Sequence, residues 1–170
     1  TADHALDPHR RAALQPWPRL QSRNCGGRFS RAAAIASGRS ADSSIAAFHV
    51  GFSPNEWDWM LQRGGAANWT PAVLERVGLI GKRDSGGFYD RFRGRLMFSI
   101  RDARSRPIAF GGRVLPEFKR DNDAKYVNSP ETPLFNKSSE LYALDVARDG
   151  IAKEKCVLVM EGYTDVIMAH

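Results

Sequence analysis

The last fourteen residues, Val157–His170, read VLVMEGYTDVIMAH and indicate the fold class of the whole chain. Four consecutive apolar residues, Val157 to Met160, are typical of a short buried strand in a parallel α/β sheet. Glu161 and Gly162 follow directly, and a helical pattern containing Asp165 comes next. Ligands of open α/β sheets bind outside the carboxyl ends of the strands, so we expect Glu161 to face such a crevice.

Glu161 is a candidate metal ligand, because two or three carboxylates gathered at a strand end can hold Mg²⁺ for phosphoryl chemistry. The alternative from the residues alone is a solvated acid where a strand meets a helix. Asp165 lies four residues further on, one helical turn away. It either supports the metal site or faces water.

Three arginines at a spacing of two, Arg91, Arg93 and Arg95, are predicted to share one face of a strand within residues 88–101. Three guanidinium groups in a row repel one another, so their face suits solvent or a polyanion, where each can fork onto a phosphate. Both interpretations stay open from the pattern. The apolar face of the same segment is predicted to consist of Phe92, Leu96, Phe98 and Ile100.

Residues 102–107 are predicted to turn the chain, and residues 108–114 to return as the partner of a hairpin. Gly111 and Gly112 in the returning strand indicate a bulge or the close approach of another backbone or a ligand. Arg113 follows them at the strand end, which favours a positioned role.

The stretch KYVNSPETPLF, residues 125–135, has the composition of an ordered loop. Lys125 can contact a phosphate, Tyr126 can stack on a base, and Asn128 can hydrogen-bond a sugar or a phosphate. Without other information, a plain surface turn is the alternative.

Four helices complete the pattern, and none of them carries chemistry. The first contains Ile45 and Phe48 and is capped by Asp42 or Ser43. The second has Pro54 in its first turn and Trp57, Met60 and Leu61 facing inward, and it ends at Gly64-Gly65. The third runs from Thr70-Pro71 to Gly78, and the fourth from Ser138 through Val146 to Gly150.

Four motifs in this order resemble the RNA-polymerase domain of bacterial DNA primase, the DnaG family. They are GFYDRFRGRLMFSIRD (87–102), IAFGGRVL (108–115), KYVNSPETPLFNKSSELYAL (125–144) and VMEGYTDVI (159–167). The resemblance runs from about Ser44 to His170. It is specific because several separate motifs occur in the family's order and spacing.

The resemblance implies an α+β fold, in which a mixed helical and antiparallel-sheet subdomain leads into the first strand and helix of a toprim subdomain, a Rossmann-like α/β unit that is truncated here. It implies residues 41–150 for the first part and 151–170 for the second. The implied activity is DNA-dependent synthesis of short RNA primers on single-stranded DNA, with a fragment of this size inactive alone.

The resemblance also implies roles for individual residues. Glu161 would be catalytic, and Glu161 and Asp165 would bind Mg²⁺ or Mn²⁺. Zn²⁺ would occur only in a module that this chain does not contain. Arginines, lysine and tyrosine matching Arg91, Arg93, Arg113, Lys125 and Tyr126 would line the groove for template or nucleoside triphosphate, with Arg95 and Asn128 beside them.

The implied partners are the single-stranded DNA template, nucleoside triphosphates, the RNA primer, the replicative helicase and the single-stranded-DNA-binding protein, at a cytoplasmic replication fork. Two rival functions remain. One is a non-catalytic module that binds single-stranded nucleic acid through the basic groove alone. The other is strand cleavage by a toprim domain, as in topoisomerases, but that chemistry needs a nucleophilic tyrosine in a separate domain.

Charge and composition agree with a nucleic-acid partner. The 170 residues have a net charge of +6, and residues 82–125 carry twelve basic and six acidic side chains. No apolar run approaches the roughly 18 residues of a membrane span. Cys25 and Cys156 lie far apart, which suits a reducing cytoplasm, and Cys156 is predicted to be buried. Residues 1–40 match no family pattern and are predicted to be a disordered arm or a stretch read in the wrong frame.

Overall fold

The computed structural model describes residues 41–170, with side chains from residue 43 onward. The arm predicted for residues 1–40, which includes Cys25, lies outside the described residues. The helices are α1 (Ala41–Phe48), α2 (Trp59–Ala66), α3 (Pro71–Arg76), α4 (Leu144–Glu154) and α5 (Tyr163–Ala169). The strands are β1 (Gly51–Ser53), β2 (Ile80–Lys82), β3 (Phe88–Asp90), β4 (Arg95–Arg101), β5 (Pro107–Val114) and β6 (Tyr126–Asn128).

The central element is a four-stranded antiparallel sheet in the order β1-β4-β5-β6, and β2 and β3 form a separate hairpin. Strands β4 and β5 are the predicted hairpin, joined by the predicted turn. Asp102 stabilises that turn, because its Oδ1 accepts the backbone N–H groups of Arg104 and Arg106 at 2.9 and 3.0 Å. A bulge lies between Ile100 and Arg101. The α+β class is confirmed.

Alternation along β4 divides the core between the two faces of the sheet. On one face Phe98 packs with Phe48 of α1 and Ile167 of α5. On the other face Phe110 packs against the small core of α2, α3 and β2, which contains Leu74 and Ile80. Each face of the sheet is therefore covered by helices. The predicted apolar side of β4 is confirmed for Leu96, Phe98 and Ile100, but Phe92 precedes the strand and contacts Phe110 on the opposite face.

The buried strand predicted at Val157–Met160 is wrong. No residue of this stretch belongs to a strand, and Val157, Leu158 and Val159 are 52, 78 and 72% exposed. A strand requires a hydrogen-bonded neighbour, and within residues 41–170 no strand pairs with this stretch. Cys156 is exposed for the same reason, contrary to the prediction that it is buried.

Several helix limits also differ from the sequence prediction. Helix α1 includes both predicted capping residues; α2 begins five residues after Pro54 and runs one residue past Gly65; and α4 begins at Leu144 and continues through Gly150. The prediction for α3 is confirmed, since Thr70 Oγ1 accepts the backbone N–H of Val73 at 3.4 Å. For α2, a contact distant in sequence lies at the start of the helix.

The start of α2 shows this contact in detail. Asp90, the last residue of β3, is 3% exposed, and its Oδ2 accepts the backbone N–H of Met60 at 2.7 Å. A carboxylate supplied from another element therefore caps the first turn of α2. The pKa of Asp90 is raised to about 6, mainly because the carboxyl is buried; the Met60 hydrogen bond opposes this shift, and the charge of Asp58 adds to it.

We expect the Asp90 carboxyl to make stability depend on pH. Its pKa is higher in the folded state than the usual 3.8, so the folded protein binds this proton more tightly than the unfolded chain. The contribution of Asp90 to the free energy of unfolding should therefore fall as pH rises from about 4 to about 6, by about 3 kcal/mol at most. Urea unfolding at pH 4 and pH 7 of the wild type and of Asp90→Asn measures this. A stability difference between the two proteins that does not change with pH would contradict it.

Candidate nucleic-acid interface

Arginines from the β3–β4 connection and its surroundings gather in one cleft. Arg91 and Arg93 lie in the connection, and Arg95 is the first residue of β4. The prediction that all three share one strand face is wrong, but the tertiary fold brings them together. The arginine cleft is lined by Asn55, Arg91, Arg93, Arg95, Phe118, Arg120 and Asp123. Four guanidinium groups face a single carboxylate, so the cleft is strongly positive.

Arg95 has a structural role that its spacing did not indicate. Its side chain is buried, and Nη1 donates to the backbone carbonyls of Gly112, Ala124 and Lys125 at 3.3, 3.0 and 3.5 Å. Burial lowers the pKa of this guanidinium, and the nearby Asp123 opposes the shift. Arg95 therefore fixes the connection between β5 and β6 to the edge of the cleft, and its predicted exposed position is wrong.

Arg93 lies over the indole of Trp57, with its Cζ 3.3 Å from the ring centroid. Trp57 is 46% exposed, so the prediction that it packs inward is wrong. Burial and the neighbouring Arg120 lower the pKa of Arg93, while Asp123 and Asp90 raise it. Contact with the indole therefore stabilises the Arg93 cation, which lies close to the cations of Arg120 and Arg83.

A second set of candidate functional side chains lies where β5 pairs with β6. We call it the tyrosine ledge; it consists of Arg113, Lys125, Tyr126, Asn128 and Tyr163. Arg113 is the register partner of Tyr126, and its Cζ is 5.6 Å from the Tyr126 ring centroid. The Lys125 Nζ is 6.0 Å from the same centroid. Two cations therefore flank a partly exposed aromatic ring, an arrangement that suits a base with its phosphates.

Asn128 connects the ledge to the chain that follows Glu161. The Tyr163 hydroxyl donates to Asn128 Oδ1 at 2.8 Å. Burial raises the pKa of Tyr163 to about 12, so the phenol keeps its proton at neutral pH and remains a donor. The side-chain oxygen of Asn128 thus accepts from Tyr163, and its amide N–H₂ is left for other partners.

Gly111 makes room for Tyr163 on the sheet. A Cβ at Gly111 would lie 2.4 Å from Tyr163 Cζ, so any larger residue would displace the ring. Tyr163 also stacks on Phe98, with 4.9 Å between the ring centroids. The sequence predicted a bulge, or an approaching backbone or ligand, at the double glycine; the structure instead has a side chain at this position. Tyr163 in turn fixes the position of the backbone two residues after Glu161.

Glu161 and Asp165 are both exposed. A Cβ at Gly162 would lie 2.6 Å from Asp165 Oδ2. The Asp165 carboxylate therefore folds back against Gly162, the residue that follows Glu161. Within residues 41–170 no group of three or more His, Cys, Asp or Glu side chains is arranged to hold a metal. The two predicted acids therefore lie close along the chain without a third carboxylate from the described residues.

Sequence reasoning missed several residues of this interface. Arg120 and Asp123 belong to a polar loop without a motif, and their place in the cleft depends on the fold. Trp57 was predicted to be core because its spacing matches an apolar helix face. Tyr163 belongs to the motif VMEGYTDVI without a role of its own in the sequence prediction. An aromatic residue two positions after a predicted crevice carboxylate is the signal that could have identified it.

An antiparallel sheet that carries an arginine cleft, a ledge of cations and tyrosines and a nearby pair of carboxylates defines a class of protein, namely an α+β domain with a surface complementary in charge to a polyanion. The family described as DNA primase catalytic core, N-terminal domain, matches residues 32–148, so residues 32–40 belong to the match, contrary to the prediction that residues 1–40 fit no family pattern. The chain therefore belongs to the DNA primase catalytic core family. The described part of the chain has no helix that is both long and apolar enough to cross a membrane.

Known relatives agree with this family. The DNA primase of Deinococcus radiodurans is 44% identical over 131 residues, which are 76% of this chain and 22% of that protein. The DNA primase of Pseudomonas putida is 48% identical over 142 residues, 81% of this chain and 21% of that protein. The chain thus spans about a fifth of the length of the relatives it matches.

A solved structure shows the same fold. The DnaG primase catalytic domain bound to single-stranded DNA superposes with a TM-score of 0.69 at 40% identity, covering 86% of this chain and 44% of that domain. The chain therefore shares the fold of a part of the primase catalytic domain.

Proposed function

We propose that this chain is the template-binding part of a DNA-dependent RNA primase that makes short RNA primers on single-stranded DNA. The observation that carries the proposal is the arginine cleft connected by Arg95 to the tyrosine ledge. The similar primase domain that was solved with single-stranded DNA supports it. Residues 41–150 would form the N-terminal subdomain and 151–170 the start of the toprim subdomain.

The chemistry of the surface suits a single strand. Guanidinium groups of Arg91, Arg93 and Arg120 can neutralise successive phosphates, and their forked donors match phosphate oxygens. On the ledge, Tyr126 offers a ring face for a base or a nucleoside triphosphate, while Arg113 and Lys125 supply positive charge beside it. Arg95 contributes indirectly, because its hydrogen bonds fix the backbone that connects the arginine cleft to the tyrosine ledge.

Glu161 is proposed as the catalytic carboxylate, and Glu161 with Asp165 as ligands of Mg²⁺ or Mn²⁺. Their oxygen donors suit this metal, which binds through one or two carboxylates together with waters and substrate phosphates. The bound metal would stabilise the charge that develops during nucleotidyl transfer. The chain's own contribution is orientation: Gly162 lets Asp165 fold back, and Tyr163 anchors the segment through Asn128.

This chain by itself is proposed to bind single-stranded DNA and not to polymerise. The observation that favours a second candidate function, a non-catalytic module that binds single-stranded nucleic acid, is that the arginine cleft and the cations of the tyrosine ledge form a basic surface without Glu161 or Asp165. In the longer protein we propose nucleoside triphosphates and an RNA primer as further ligands, and the replicative helicase and the single-stranded-DNA-binding protein as partners at the replication fork. Zn²⁺ belongs to this proposal only in a separate module, like the zinc-binding domain in the Aquifex aeolicus primase structure.

Binding of a labelled oligodeoxythymidylate, followed by fluorescence anisotropy, tests the proposal. Affinity should fall steeply with salt, because phosphate contacts release counterions. Arg93→Ala, Arg113→Ala and Lys125→Ala should each weaken binding about fivefold, the effect of losing roughly 1 kcal/mol from one exposed charged contact.

Arg104→Ala is the matched control, since it removes the same charge from the turn at the far end of the β4–β5 hairpin. Strand β4 has seven residues, so this turn lies roughly 20 Å from the cleft. The control should bind like the wild type. Binding that does not depend on salt, or equal loss in Arg104→Ala and the three interface variants, would contradict the proposed function.

A further inference from the structure

We infer that Trp57 is a positioning residue that holds Arg93 in the geometry needed to contact a phosphate in the arginine cleft. The inference rests on the proposed function, because it concerns the same polyanion-binding surface. It extends that function to a residue with a neutral side chain that does not line the cleft itself.

The indole of Trp57 is fixed relative to the cleft by the backbone. The Trp57 carbonyl accepts the N–H of Asp90 at 2.8 Å, and Asp90 is the last residue of β3. Arg93 follows three residues later. One backbone hydrogen bond therefore joins Trp57 to the residue directly before Arg91, where the arginine-rich connection begins. The Arg93 Cζ lies 3.3 Å from the Trp57 ring centroid.

The contact leaves the hydrogen-bonding edge of Arg93 available. A guanidinium stacks through its face, whereas its N–H donors lie in its plane. Within residues 41–170 the Arg93 side chain donates no hydrogen bond, although it lines the cleft. Stacking on Trp57 thus removes rotational freedom from Arg93 without occupying the donors that a phosphate needs.

Charge repulsion explains why such support is required. Arg93 shares the cleft with Arg120. A further cation, Arg83, lies near the same Trp57 ring, with its Cζ 5.1 Å from the ring centroid. Like charges at this density favour side chains that swing away into water. The negative face of an indole attracts cations more strongly than any other aromatic side chain, so Trp57 counteracts the repulsion.

A double-mutant cycle with labelled oligodeoxythymidylate tests the inference, with Kd measured by anisotropy over a range of salt. Trp57→Leu keeps an apolar side chain and removes the ring; we expect roughly three- to fivefold weaker binding, the loss of one cation–π contact. Its salt dependence should also decrease by about one phosphate contact, as in Arg93→Ala. In Arg93→Ala, adding Trp57→Leu should have no further effect.

Trp57→Phe keeps an aromatic face and should retain most of the affinity, which a role in packing alone does not explain. Additive losses in the double variant would overturn the inference, because they would mean that Trp57 contacts the nucleic acid directly. Equal losses in Trp57→Phe and Trp57→Leu would overturn it as well. If Arg93→Ala weakens binding while Trp57→Leu does not, the inference fails and the proposed function stands; if Arg93→Ala, Arg113→Ala and Lys125→Ala all bind normally, the proposed function itself fails.

Discussion

Glu161→Gln should lower primer synthesis by roughly a hundredfold or more, the size of effect expected when one electrostatic stabiliser of a transition state is removed. The measurement requires a protein that joins this chain to the remainder of a primase catalytic core. Affinity for single-stranded DNA should be unchanged, because the proposed role of the arginine cleft and the ledge is to hold the strand in the ground state, whereas the proposed role of the carboxylate is in the reaction itself. The exposed position of Glu161 predicts an unchanged melting temperature.

Glu154→Gln is the matched control for this prediction. It removes the same charge from an exposed glutamate at the end of α4, whose only ion pair in the described part of the chain is with Lys153. Primer synthesis by this control should equal that of the wild type. Full activity of Glu161→Gln would refute the catalytic assignment, and parallel losses of synthesis and binding would indicate misfolding instead.

Asp145→Ala should lower the free energy of unfolding by about 3–5 kcal/mol, the cost of leaving one charge of a buried ion pair without its partner. Asp145 Oδ2 lies 3.1 Å from Arg101 Nε, and the two side chains are 2 and 7% exposed. Arg101 also donates through Nη2 to the carbonyl of Ala47 at 3.1 Å. The pair therefore joins β4, α1 and α4, and its loss affects three elements at once.

Urea unfolding monitored by circular dichroism measures this loss. The pair Arg106–Asp102, in which the arginine is exposed, provides the control, since Arg106→Ala should cost less than about 1 kcal/mol. The double substitution Arg101→Met with Asp145→Leu should recover much of the stability, because it removes both charges and keeps apolar volume. A cost for Asp145→Ala no greater than that for Arg106→Ala would show that the buried pair is not important for the fold.

The buried strand at Val157–Met160 illustrates where prediction from sequence failed. Four apolar residues indicate a preference for burial, but a strand also needs a neighbour to accept and donate its backbone hydrogen bonds. Composition cannot supply that information. The predicted start of α2 was wrong for a similar reason, because the first turn of this helix is capped by Asp90, which lies 30 residues from Met60 in sequence.

Local patterns did determine several features of this protein. The β4–β5 hairpin follows from two apolar segments around a turn that Asp102 stabilises, and α3 follows from Thr70 and Pro71. Each of these rests on residues near one another in the chain, so period, turn chemistry and capping are sufficient to predict them. The basic character of residues 82–125 is likewise a property of composition.

Only the tertiary structure decided which side chains share the interface. It directed Arg95 inward to three carbonyls, placed Trp57 under Arg93, and joined Asn128 to Tyr163 across 35 positions. These contacts connect polar or aromatic groups from different elements, and no hydrophobic period marks them in the sequence. Their geometry depends on how the sheet positions its edges and connections, because the free energy of a polar contact depends on its partner and its burial.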